Sequence, residues 1–386
     1  MTSIIGFFKR VTTSANPPEV PKAENPIRFG ILGAANIGPD ALIKPAKSHP
    51  EVVIAAVAAR DKTKAETYAK KWGIQKTYGG PAGYDELLND PEIDAVYNPL
   101  PNGLHYEWTM KALSKGKHVL LEKPSADTAE ETRKMFELAE QKGLVLMEAF
   151  HYRFHPAVQR AKAILDSGEL GAVKSLTCHM VIPEIGFIGK DDIRYNHSLG
   201  GGCMMDMGCY PLSAVRFFAS NNPVSVLSAE AHVIPPAADL VDKGMSATLA
   251  FPNDVAASIR CHFGMPPAYG FIPRMPVLSL KAECEGGELT LSNFVLPTLW
   301  HSITVSKREG RGRVTRTEKA YTFKDGIGEP WWTTYRYQLE AFVDKLKGRN
   351  PHYWMTGEDS VANMEWIERV YEKSGLGSRP ASKFVL

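Results

Sequence analysis

The sequence of 386 residues has few cysteines and no long apolar run, and both shortages restrict the class of protein it encodes. Its five cysteines form no C-x-x-C pair, which argues against a zinc ribbon or disulfide framework and predicts reduced thiols in a cytoplasmic protein. No apolar stretch reaches the roughly 18–20 residues that span a bilayer, so we expect no membrane partner. A net charge of only +2 offers no basic surface for nucleic acid, and the expected partner is therefore a small molecule.

The first 26 residues differ from the rest of the chain, because four prolines fall between positions 17 and 26. Proline fixes the backbone and cannot donate a hydrogen bond, so residues 1–26 are predicted to form an extended arm. The acid-poor start, with its serines and threonines, is also compatible with a transit peptide, which we consider the weaker interpretation.

Residues 27–150 alternate apolar runs with amphipathic stretches. The runs Ile27–Leu32, Val52–Ala59 and Ile93–Asn98, followed by HVLLEKP and LVLMEAF, are separated by segments with helical spacing. Parallel strands joined by crossover helices produce this alternation, and nearly continuous apolar runs are typical of strands buried on both faces. We predict an α/β, doubly wound Rossmann domain.

Residues 151–386 show a different pattern. Six predicted strands follow one another with tight turns between them, at 173–183, 224–235, 245–251, 255–263, 276–284 and 288–295. Two helices, at about 332–347 and 358–374, are predicted to close the chain. This order indicates an α+β domain with a large, mostly antiparallel open sheet.

A glycine-bearing turn follows the first predicted strand in FGILGAANIGPDAL. Gly33 allows a tight turn and Gly38 stands third in a degenerate G-x-G-x-x-G pattern, whose middle glycine is replaced by Ala35. The helix that follows can point free N–H groups at a pyrophosphate. We predict that Gly33 and the turn residues Ala34, Ala35, Asn36 and Ile37 bind a dinucleotide, although a purely structural turn has the same appearance.

The end of the second predicted strand indicates which dinucleotide binds. A site for NAD places a carboxylate there, whereas this chain has Arg60, followed by Lys62 and Lys64. A guanidinium can grip a 2′-phosphate with two hydrogen bonds, so we predict NADP as the cofactor and Arg60 and Lys64 as contacts. The alternative is a solvated helix start with incidental charge.

The motif EKP ends the strand at 118–121 with two opposite charges. Pro124 stops the strand, and the carboxyl ends of parallel strands border the ligand crevice in open α/β sheets. Glu122 and Lys123 are therefore predicted to lie at the mouth of that crevice.

Several motifs together resemble the Gfo/Idh/MocA oxidoreductase family, over about residues 27–375. These are GAANIG, NPLPNGLH, EKP, EAFHYRFHP, DDIR and GGGCMMDMGCYPL. Within the family the chain is similar to the branch of dimeric dihydrodiol dehydrogenases and NADP-dependent D-xylose 1-dehydrogenases. The resemblance implies a catalytic Lys123 together with Asp206 and Tyr210. It also implies that Pro99, Leu100, Asn102 and His105 lie along the cofactor, as does Glu122.

The spacing of Asp206 and Tyr210 adds an argument of its own. The two residues are four apart on a predicted helix, so both would project from one face. A phenol is a weak base at neutral pH, and we hypothesise that the ammonium of Lys123 lowers the Tyr210 pKa while Asp206 orients the pair. Each residue also has a structural alternative. Lys123 could be a surface lysine, Asp206 a charge at a helix terminus and Tyr210 a core aromatic.

Other residues are weaker candidates. Arg153 and Arg194 are predicted to face substrate hydroxyls, with structural ion pairing as the alternative. His151 and His155 have i,i+4 spacing but lack the glutamate of H-E-x-x-H, so no metal site is predicted. Trp331 and Trp332 could stack on a sugar ring, although a core role is favoured.

These features predict an NADP-dependent dehydrogenase that oxidises an aldopyranose, D-xylose favoured, at C1. A trans-dihydrodiol dehydrogenase or a dicarbonyl or anhydroketose reductase could use the same residues. A non-catalytic sensor of NADP would share the fold but would not need Lys123, Asp206 and Tyr210 together. The open sheet, expected to expose apolar surface, is predicted to form a homodimer interface.

Overall fold

The apolar runs of the first half of the chain form a six-stranded parallel sheet in the order β3-β2-β1-β4-β5-β6. Its strands are β1 (Ile27–Leu32), β2 (Val52–Ala59), β3 (Lys76–Gly79), β4 (Ala95–Asn98), β5 (His118–Leu121) and β6 (Leu146–Glu148). The Rossmann prediction is confirmed, and β3 is an additional short strand. The computed structural model describes residues 4–183, 192–233, 240–269, 272, 274–310 and 312–386.

Helices cover both faces of this sheet. In chain order they are α1 (Ile4–Ala15), α2 (Lys44–Lys47), α3 (Lys62–Trp72), α4 (Gly83–Asn89), α5 (His105–Ser114) and α6 (Ala129–Gln141), with α1 outside the Rossmann repeat. One core lies on each face: Phe29 and Tyr97 belong to the first, and Leu87, Leu113 and Met135 belong to the second. Burial on both faces explains why the strands lack polar alternation.

The prediction of an extended arm is wrong for Ile4–Ala15, which form α1. Arg10 holds this helix against the second half of the chain: its guanidinium donates to the hydroxyl of Tyr321 (3.0 Å) and lies 3.9 Å from the centre of that ring. The prolines lie after the helix, between it and β1, where they do not interrupt its hydrogen bonds. Lys22, in this later stretch, donates to the carbonyls of Ala46 (2.6 Å) and His49 (2.9 Å).

The second half of the chain forms an eight-stranded sheet in the order β14-β13-β12-β11-β7-β10-β9-β8. Its strands are β7 (Val173–Pro183), β8 (Ser225–Val233), β9 (Asp242–Ala250), β10 (Ala256–Met265), β11 (Val277–Cys284), β12 (Gly287–Ser292), β13 (Ser302–Glu309) and β14 (Gly312–Glu318). Neighbouring strands are antiparallel except β7 and β10, which are parallel. The predicted antiparallel sheet is confirmed, and β13 and β14 extend it.

Four helices belong to this half: α7 (Pro156–Asp166), α8 (Cys209–Ala219), α9 (Thr334–Leu346) and α10 (Gly357–Ser374). Residues from α7, α8 and α10 form one core with the inner face of the large sheet. Helix α9 instead packs on the parallel sheet, where Phe342 contacts Phe29 with ring centres 5.7 Å apart. A helix from the C-terminal part of the chain thus completes the core of the first domain.

The outer face of the large sheet is polar, contrary to the apolar surface that we expected there. The side chains that alternate with the core residues are mostly hydroxyl-bearing or charged, as in Ser175, Thr177, Ser246, Thr248, Ser258, Arg260, Ser279, Lys281, Thr290 and Thr304. The five cysteines are free and buried. Within the part of the chain that the structure describes, no helix is long and apolar enough to cross a membrane.

Candidate active site

The loops after β1, β4 and β5 meet at the carboxyl edge of the parallel sheet. The strand order reverses between β1 and β4, and ligands of open α/β sheets bind at such a reversal. Gly33, directly after β1, has a φ of +98°, and a Cβ there would come within 3.1 Å of Leu100 in the loop after β4. The loops after β1 and β4 therefore lie against each other at this edge of the sheet.

The glycine turn has the shape that a dinucleotide requires. Asn36 and Ile37 are exposed, and Ala34 and Ala35 are half-buried. Gly38 packs so closely on α3 that a Cβ would lie 2.5 Å from the hydroxyl of Tyr68, the close approach that the third glycine of the fingerprint permits. The exposed turn and the closely packed Gly38 therefore leave space for a pyrophosphate beside the backbone of this turn.

Arg60 and Lys64 lie at the end of β2 and the start of α3, where the ribose of a dinucleotide is expected. Both side chains are exposed. Burial raises the pKa of Tyr84, and the guanidinium of Arg60 beside that phenol counteracts part of the rise. Arg60 thus lies near the glycine turn, because a Cβ on Gly33 would also contact the Tyr84 hydroxyl, at 3.9 Å.

The loop after β4 is held in place by buried hydrogen bonds. The ring nitrogens of His105 lie 2.7 Å from the carbonyl oxygen of Leu100 and 2.8 Å from that of Pro124, so this residue joins the loop to the EKP turn. Only 1% of His105 is exposed, and we therefore assign it to positioning the loop. Asn102 donates to the carbonyl of Gly200 (2.9 Å) across the crevice. Pro99 and Leu100 begin this loop directly after β4, and Leu100 lies next to Gly33.

The two charges of EKP have different environments. The carboxylate of Glu122 accepts a hydrogen bond from the hydroxyl of Tyr97 (2.7 Å), and burial raises its pKa although Lys123 and Tyr97 oppose the rise. Glu122 is therefore a buried neighbour of the crevice. Lys123 reaches the opposite way, toward the second domain.

Lys123 enters an ionic chain with Asp206 and Arg194. Lys123 Nζ donates to Asp206 Oδ1 and to the Asp206 carbonyl (both 2.8 Å), and Arg194 Nε donates to Oδ2 (2.8 Å). Burial would raise the pKa of Asp206, but the two cations outweigh it and hold that pKa well below its usual range. Burial opposes the charge of Lys123 as well, yet Asp206 keeps its pKa above the ordinary value. Lys123 is thus a firmly held ammonium.

Tyr210 faces the same cleft from α8. The ammonium of Lys123 lies 5.2 Å from the centre of its ring, and the Tyr210 hydroxyl is 2.9 Å from His151 Nε2. Burial raises the pKa of Tyr210, and Tyr335 and Glu122 raise it further. The expected lowering of this pKa is not found, because burial outweighs any attraction from the ammonium of Lys123, which is itself paired with Asp206.

The predicted helix that carries Asp206 and Tyr210 has two parts. Asp206 lies in a π-helical turn, Met204–Gly208, and Tyr210 lies in the first turn of α8. Gly200 and Gly202 precede it with φ values of +71° and +135°. Both side chains nevertheless reach the cleft, so Lys123, Asp206 and Tyr210 are brought together.

Arg153 does not face the cleft. Only 1% of it is exposed, and its guanidinium donates to Ser213, Tyr353 and Asp359. Asp359 also pairs with Arg216 (2.8 Å), so this is a buried ion-pair network beneath α10. The prediction that Arg153 faces substrate hydroxyls is wrong, because the side chain is buried and its guanidinium is engaged in this network. Arg194 has a side chain that is 40% exposed, and its contact with substrate stays a prediction.

Sequence reasoning missed three residues of the cleft. The hydroxyl of Thr334, at the start of α9, lies 2.7 Å from His151 Nδ1, and the tilted ring of Tyr335 has its centre 4.0 Å from that of the His151 ring. Thr334 and Tyr335 belong to the run WWTTYRYQ, of which only the two tryptophans were considered as possible sugar contacts. Trp332 packs against Tyr337 in the first core. His151 itself was considered only as a metal ligand, and among the described residues no cluster of three or more metal-ligating side chains is present.

Comparisons with known proteins identify the family of this chain. The model "Oxidoreductase family, NAD-binding Rossmann fold" of Gfo/Idh/MocA matches residues 27–150, and the "GFO/IDH/MocA C-terminal domain" matches residues 158–289. A D-xylose 1-dehydrogenase (NADP(+)) 2 of Haloferax volcanii is 36% identical over 91% of this chain and 98% of its own length. A trans-1,2-dihydrobenzene-1,2-diol dehydrogenase of Xenopus tropicalis is 29% identical over 78% and 85%.

One solved structure also matches over nearly its whole length. A 3-ketoreductase from Actinomadura kijaniata, in complex with NADP and TDP-benzene, superposes with a TM-score of 0.74 and 26% identity, over 93% of this chain and 99% of that one. The family models together match more than half of the chain. This chain therefore belongs to the Gfo/Idh/MocA family of oxidoreductases.

Proposed function

We propose that this oxidoreductase is an NADP-dependent sugar dehydrogenase that oxidises an aldopyranose, with D-xylose favoured, at C1 to the lactone. The observation that carries the proposal is the shared cleft of Lys123, Asp206 and Tyr210 beside the dinucleotide crevice. The D-xylose dehydrogenase of Haloferax volcanii, similar over nearly its whole length, supports the choice of substrate.

The proposed chemistry assigns one task to each side chain. NADP⁺, which the glycine turn, Arg60 and Lys64 would hold, would supply the acceptor for the hydride that leaves C1 of the sugar. Lys123, held as an ammonium by Asp206, hydrogen-bonds the oxygen on C1 and stabilises negative charge there. During oxidation Tyr210 accepts the proton of the same hydroxyl, and in the reducing direction it donates that proton as the acid. Asp206 fixes the ammonium by two hydrogen bonds.

The preference for NADP rests on Arg60 and Lys64. Their exposed cations can bind a 2′-phosphate, and neither is a carboxylate that would repel it. The relatives named above include one whose name specifies NADP(+) and one solved with NADP bound.

A trans-1,2-dihydrodiol dehydrogenase is the second candidate, because the Xenopus tropicalis relative has that activity by name. It would use the same residues, since pocket shape selects the substrate. A dicarbonyl or anhydroketose reductase that uses the same residues is the third candidate activity. A non-catalytic NADP sensor is disfavoured because the whole catalytic set is present.

The test is an assay of reduced-nicotinamide absorbance with NADP⁺ or NAD⁺ against D-xylose, other pentoses, hexoses and trans-dihydrodiols. We expect D-xylose with NADP⁺ to give the highest kcat/KM. Lys123→Met and Tyr210→Phe should each lower kcat by roughly 10²- to 10⁴-fold. The control Lys115→Met changes an exposed lysine before β5, at the opposite edge of the sheet, and should keep full activity. Tight NADPH binding with no turnover on any substrate would favour the sensor instead.

We also propose that the enzyme is a homodimer that associates through the open face of the large sheet, and that it works in the cytoplasm. Hydroxyl and charged side chains on that face would pair by hydrogen bonds rather than by apolar contact. The buried free thiols support a reducing compartment. Sedimentation of the wild type and of Thr177→Arg, placed centrally on the face, would test the interface: the variant should be monomeric.

A further inference from the structure

We infer that His151 is the proton-transfer partner of Tyr210, and that Thr334 holds the imidazole in the tautomer that accepts the phenolic proton. The inference rests on the proposed function, because it concerns the step in which the sugar hydroxyl loses its proton. His151 acts through Tyr210 and is therefore a positioning and relay residue rather than a contact of the substrate.

Tyr210, His151 and Thr334 form a row of side chains that comes from three elements in different parts of the chain. His151 opens the short helical turn after β6, Tyr210 lies in α8, and Thr334 is the first residue of α9. The Tyr210 hydroxyl lies 2.9 Å from His151 Nε2, and His151 Nδ1 lies 2.7 Å from Thr334 Oγ1. Each distance is that of a hydrogen bond, and the row is continuous.

The imidazole is held rigidly and away from bulk water. His151 is 1% exposed, Tyr210 is 4% exposed and Thr334 is 2% exposed. The ring of Tyr335 lies against the imidazole at 4.0 Å with an interplanar angle of 32°, which prevents the ring from turning over. A fixed, dry imidazole with a hydrogen bond at each nitrogen is suited to passing a proton.

The need for such a partner follows from the state of Tyr210. Its phenol is kept protonated by burial, so it can take a proton from the substrate only if it gives up its own. Lys123 cannot receive that proton, because it is an ammonium bound to Asp206. The hydrogen bond at the phenolic oxygen leads to His151, whose pKa burial and Lys123 lower to about 3. The imidazole is thus neutral, and its low pKa means that it holds an accepted proton only transiently.

The transfer balances as follows. The O–H bond of the sugar breaks and a new O–H bond forms at Tyr210, while the original phenolic O–H bond breaks and an N–H bond forms at His151 Nε2. The hydride, with two electrons, leaves C1 for the bound NADP⁺. His151 Nδ1–H donates to Thr334 Oγ1 throughout, and after the products leave the surplus proton returns from Nε2 through the Tyr210 hydroxyl to water that enters the emptied substrate site. Sugar and NADP⁺ thus become lactone, NADPH and one proton.

The titratable groups around this row come from every element packed against it. Lys123 and Glu122 face it from the end of β5, Asp206 and Cys209 from the turn into α8, Tyr152 from the turn after β6, and Tyr335 from α9. Of these, Lys123 is the cation, and it is paired with Asp206. The imidazole of His151 is the group hydrogen-bonded to the phenol.

The first experiment compares pH profiles. His151→Gln retains an amide at the position of Nε2 but cannot take a proton, and His151→Phe removes the bond. We expect both variants to lose about 10²- to 10³-fold in kcat with little change in KM, and log kcat for oxidation to rise with pH where the wild type is flat. His118→Gln, at the amino edge of the sheet, should behave as the wild type. A His151→Gln variant with wild-type kcat and a flat profile would overturn the inference.

The second experiment does not depend on turnover. In the ¹⁵N NMR spectrum of the histidine-labelled protein without cofactor, the His151 signals are assigned by their loss in His151→Gln. We expect an unprotonated Nε2 whose shift changes in Tyr210→Phe, and a protonated Nδ1 whose shift changes in Thr334→Val. A protonated Nε2 would overturn the inference even in an active enzyme. If the NMR result holds but the wild type oxidises no sugar or diol, the proposed function fails by itself.

Discussion

Arg60 is the residue on which the proposed cofactor preference depends. It lies at the end of β2 with an exposed side chain, and it neighbours Tyr84 beside the glycine turn. A charge-assisted hydrogen bond to phosphate contributes about 1.5–3 kcal/mol, because the guanidinium presents a rigid pair of donors.

Arg60→Ala should raise KM for NADP⁺ by roughly 10- to 100-fold and leave KM for NAD⁺ within about threefold. The measurement is initial-rate kinetics with both cofactors. Arg28→Ala, which removes an exposed arginine from β1, is the matched control. An equal loss with the two cofactors would contradict a 2′-phosphate contact.

Glu148 ends β6 as a buried carboxyl next to the site. Its Oε1 accepts the amide of Ser125 (2.8 Å), and burial raises its pKa to about 8 from an ordinary value of 4.5, although Ser360 and Ser125 oppose the rise. The folded protein therefore holds a proton that the unfolded chain releases at lower pH. Stability decreases as pH rises from about 4.5 to about 8.

Glu148→Gln should remove this dependence and stabilise the protein at pH 8 by a few kcal/mol relative to wild type, with little difference below pH 4.5. Urea denaturation at several pH values measures the effect. Glu86→Gln, an exposed carboxyl on α4, should follow the wild-type curve. A Glu148→Gln variant that is less stable at pH 8 would show that the carboxyl is ionised there.

Single residues also show where sequence reasoning stops. His151 and Arg153 stand two apart in one motif, and each had a binding role among its interpretations. The turn after β6 directs the first toward Tyr210 and the second into the network of Ser213 and Asp359. Spacing cannot distinguish these directions, because the partners lie at distant positions of the chain.

At the scale of elements, the turn Gly200–Gly202 sets the position of the catalytic helix. The Gly202 carbonyl accepts the amide of Asp206 (3.0 Å), and the Gly201 carbonyl accepts Arg379 Nε (2.7 Å). Gly202 has a φ of +135°, and a Cβ would lie 2.5 Å from atoms of Arg379 and Tyr371. Conformation and space both require glycine there.

Gly202→Ala should therefore destabilise the protein and lower kcat, because the displaced turn carries Asp206 away from Lys123. Gly348→Ala is the control: Gly348 also has a positive φ, of +71°, but nothing lies within 4 Å of its added Cβ. That variant should lose only about 1–2 kcal/mol and keep its kcat. Urea denaturation and steady-state kinetics give both quantities, and an active, stable Gly202→Ala would contradict the assigned role.

The elements that sequence reasoning missed share a physical cause. Strand β14, at the edge of the large sheet, and its neighbour β13 carry polar residues on one face and several charges, so their pattern resembles a loop. Helix α1 contains no proline. Residues 1–26 were predicted to be extended throughout because of the prolines that follow this helix. Long apolar runs with regular spacing were predictable because burial alone determines their pattern.

At the scale of the whole molecule, the last residues join the two domains. Arg379 pairs with Asp242 (3.0 Å) with both side chains fully buried, and the amide of Ser382 donates to Glu131 in α6 (2.5 Å). Phe384 packs on Tyr106 of α5 with ring centres 6.3 Å apart. The chain end thus reaches from the glycine turn of the second domain to the helices of the first.

Arg379→Ala should cost about 3–5 kcal/mol, because it leaves Asp242 buried without its cation. It should also lower kcat, because the Gly201 carbonyl loses its donor. Lys383→Ala removes an exposed charge from the same segment and should change neither quantity. Urea denaturation followed by assay under native conditions separates the effects. Wild-type stability in Arg379→Ala would show that the ion pair does not hold the chain end.

The sequence by itself determined the parallel sheet, the glycine turn and the arrival of Lys123 at the crevice, because these follow from local periodicity and from where a strand stops. Only the tertiary structure decided which groups meet. Lys123 and Asp206 are 83 residues apart in sequence, and Tyr210 and His151 are 59 apart. Charge neutralisation and proton transfer act over a few ångströms in space, so their partners, and the protonation state of Tyr210, depend on how distant segments pack.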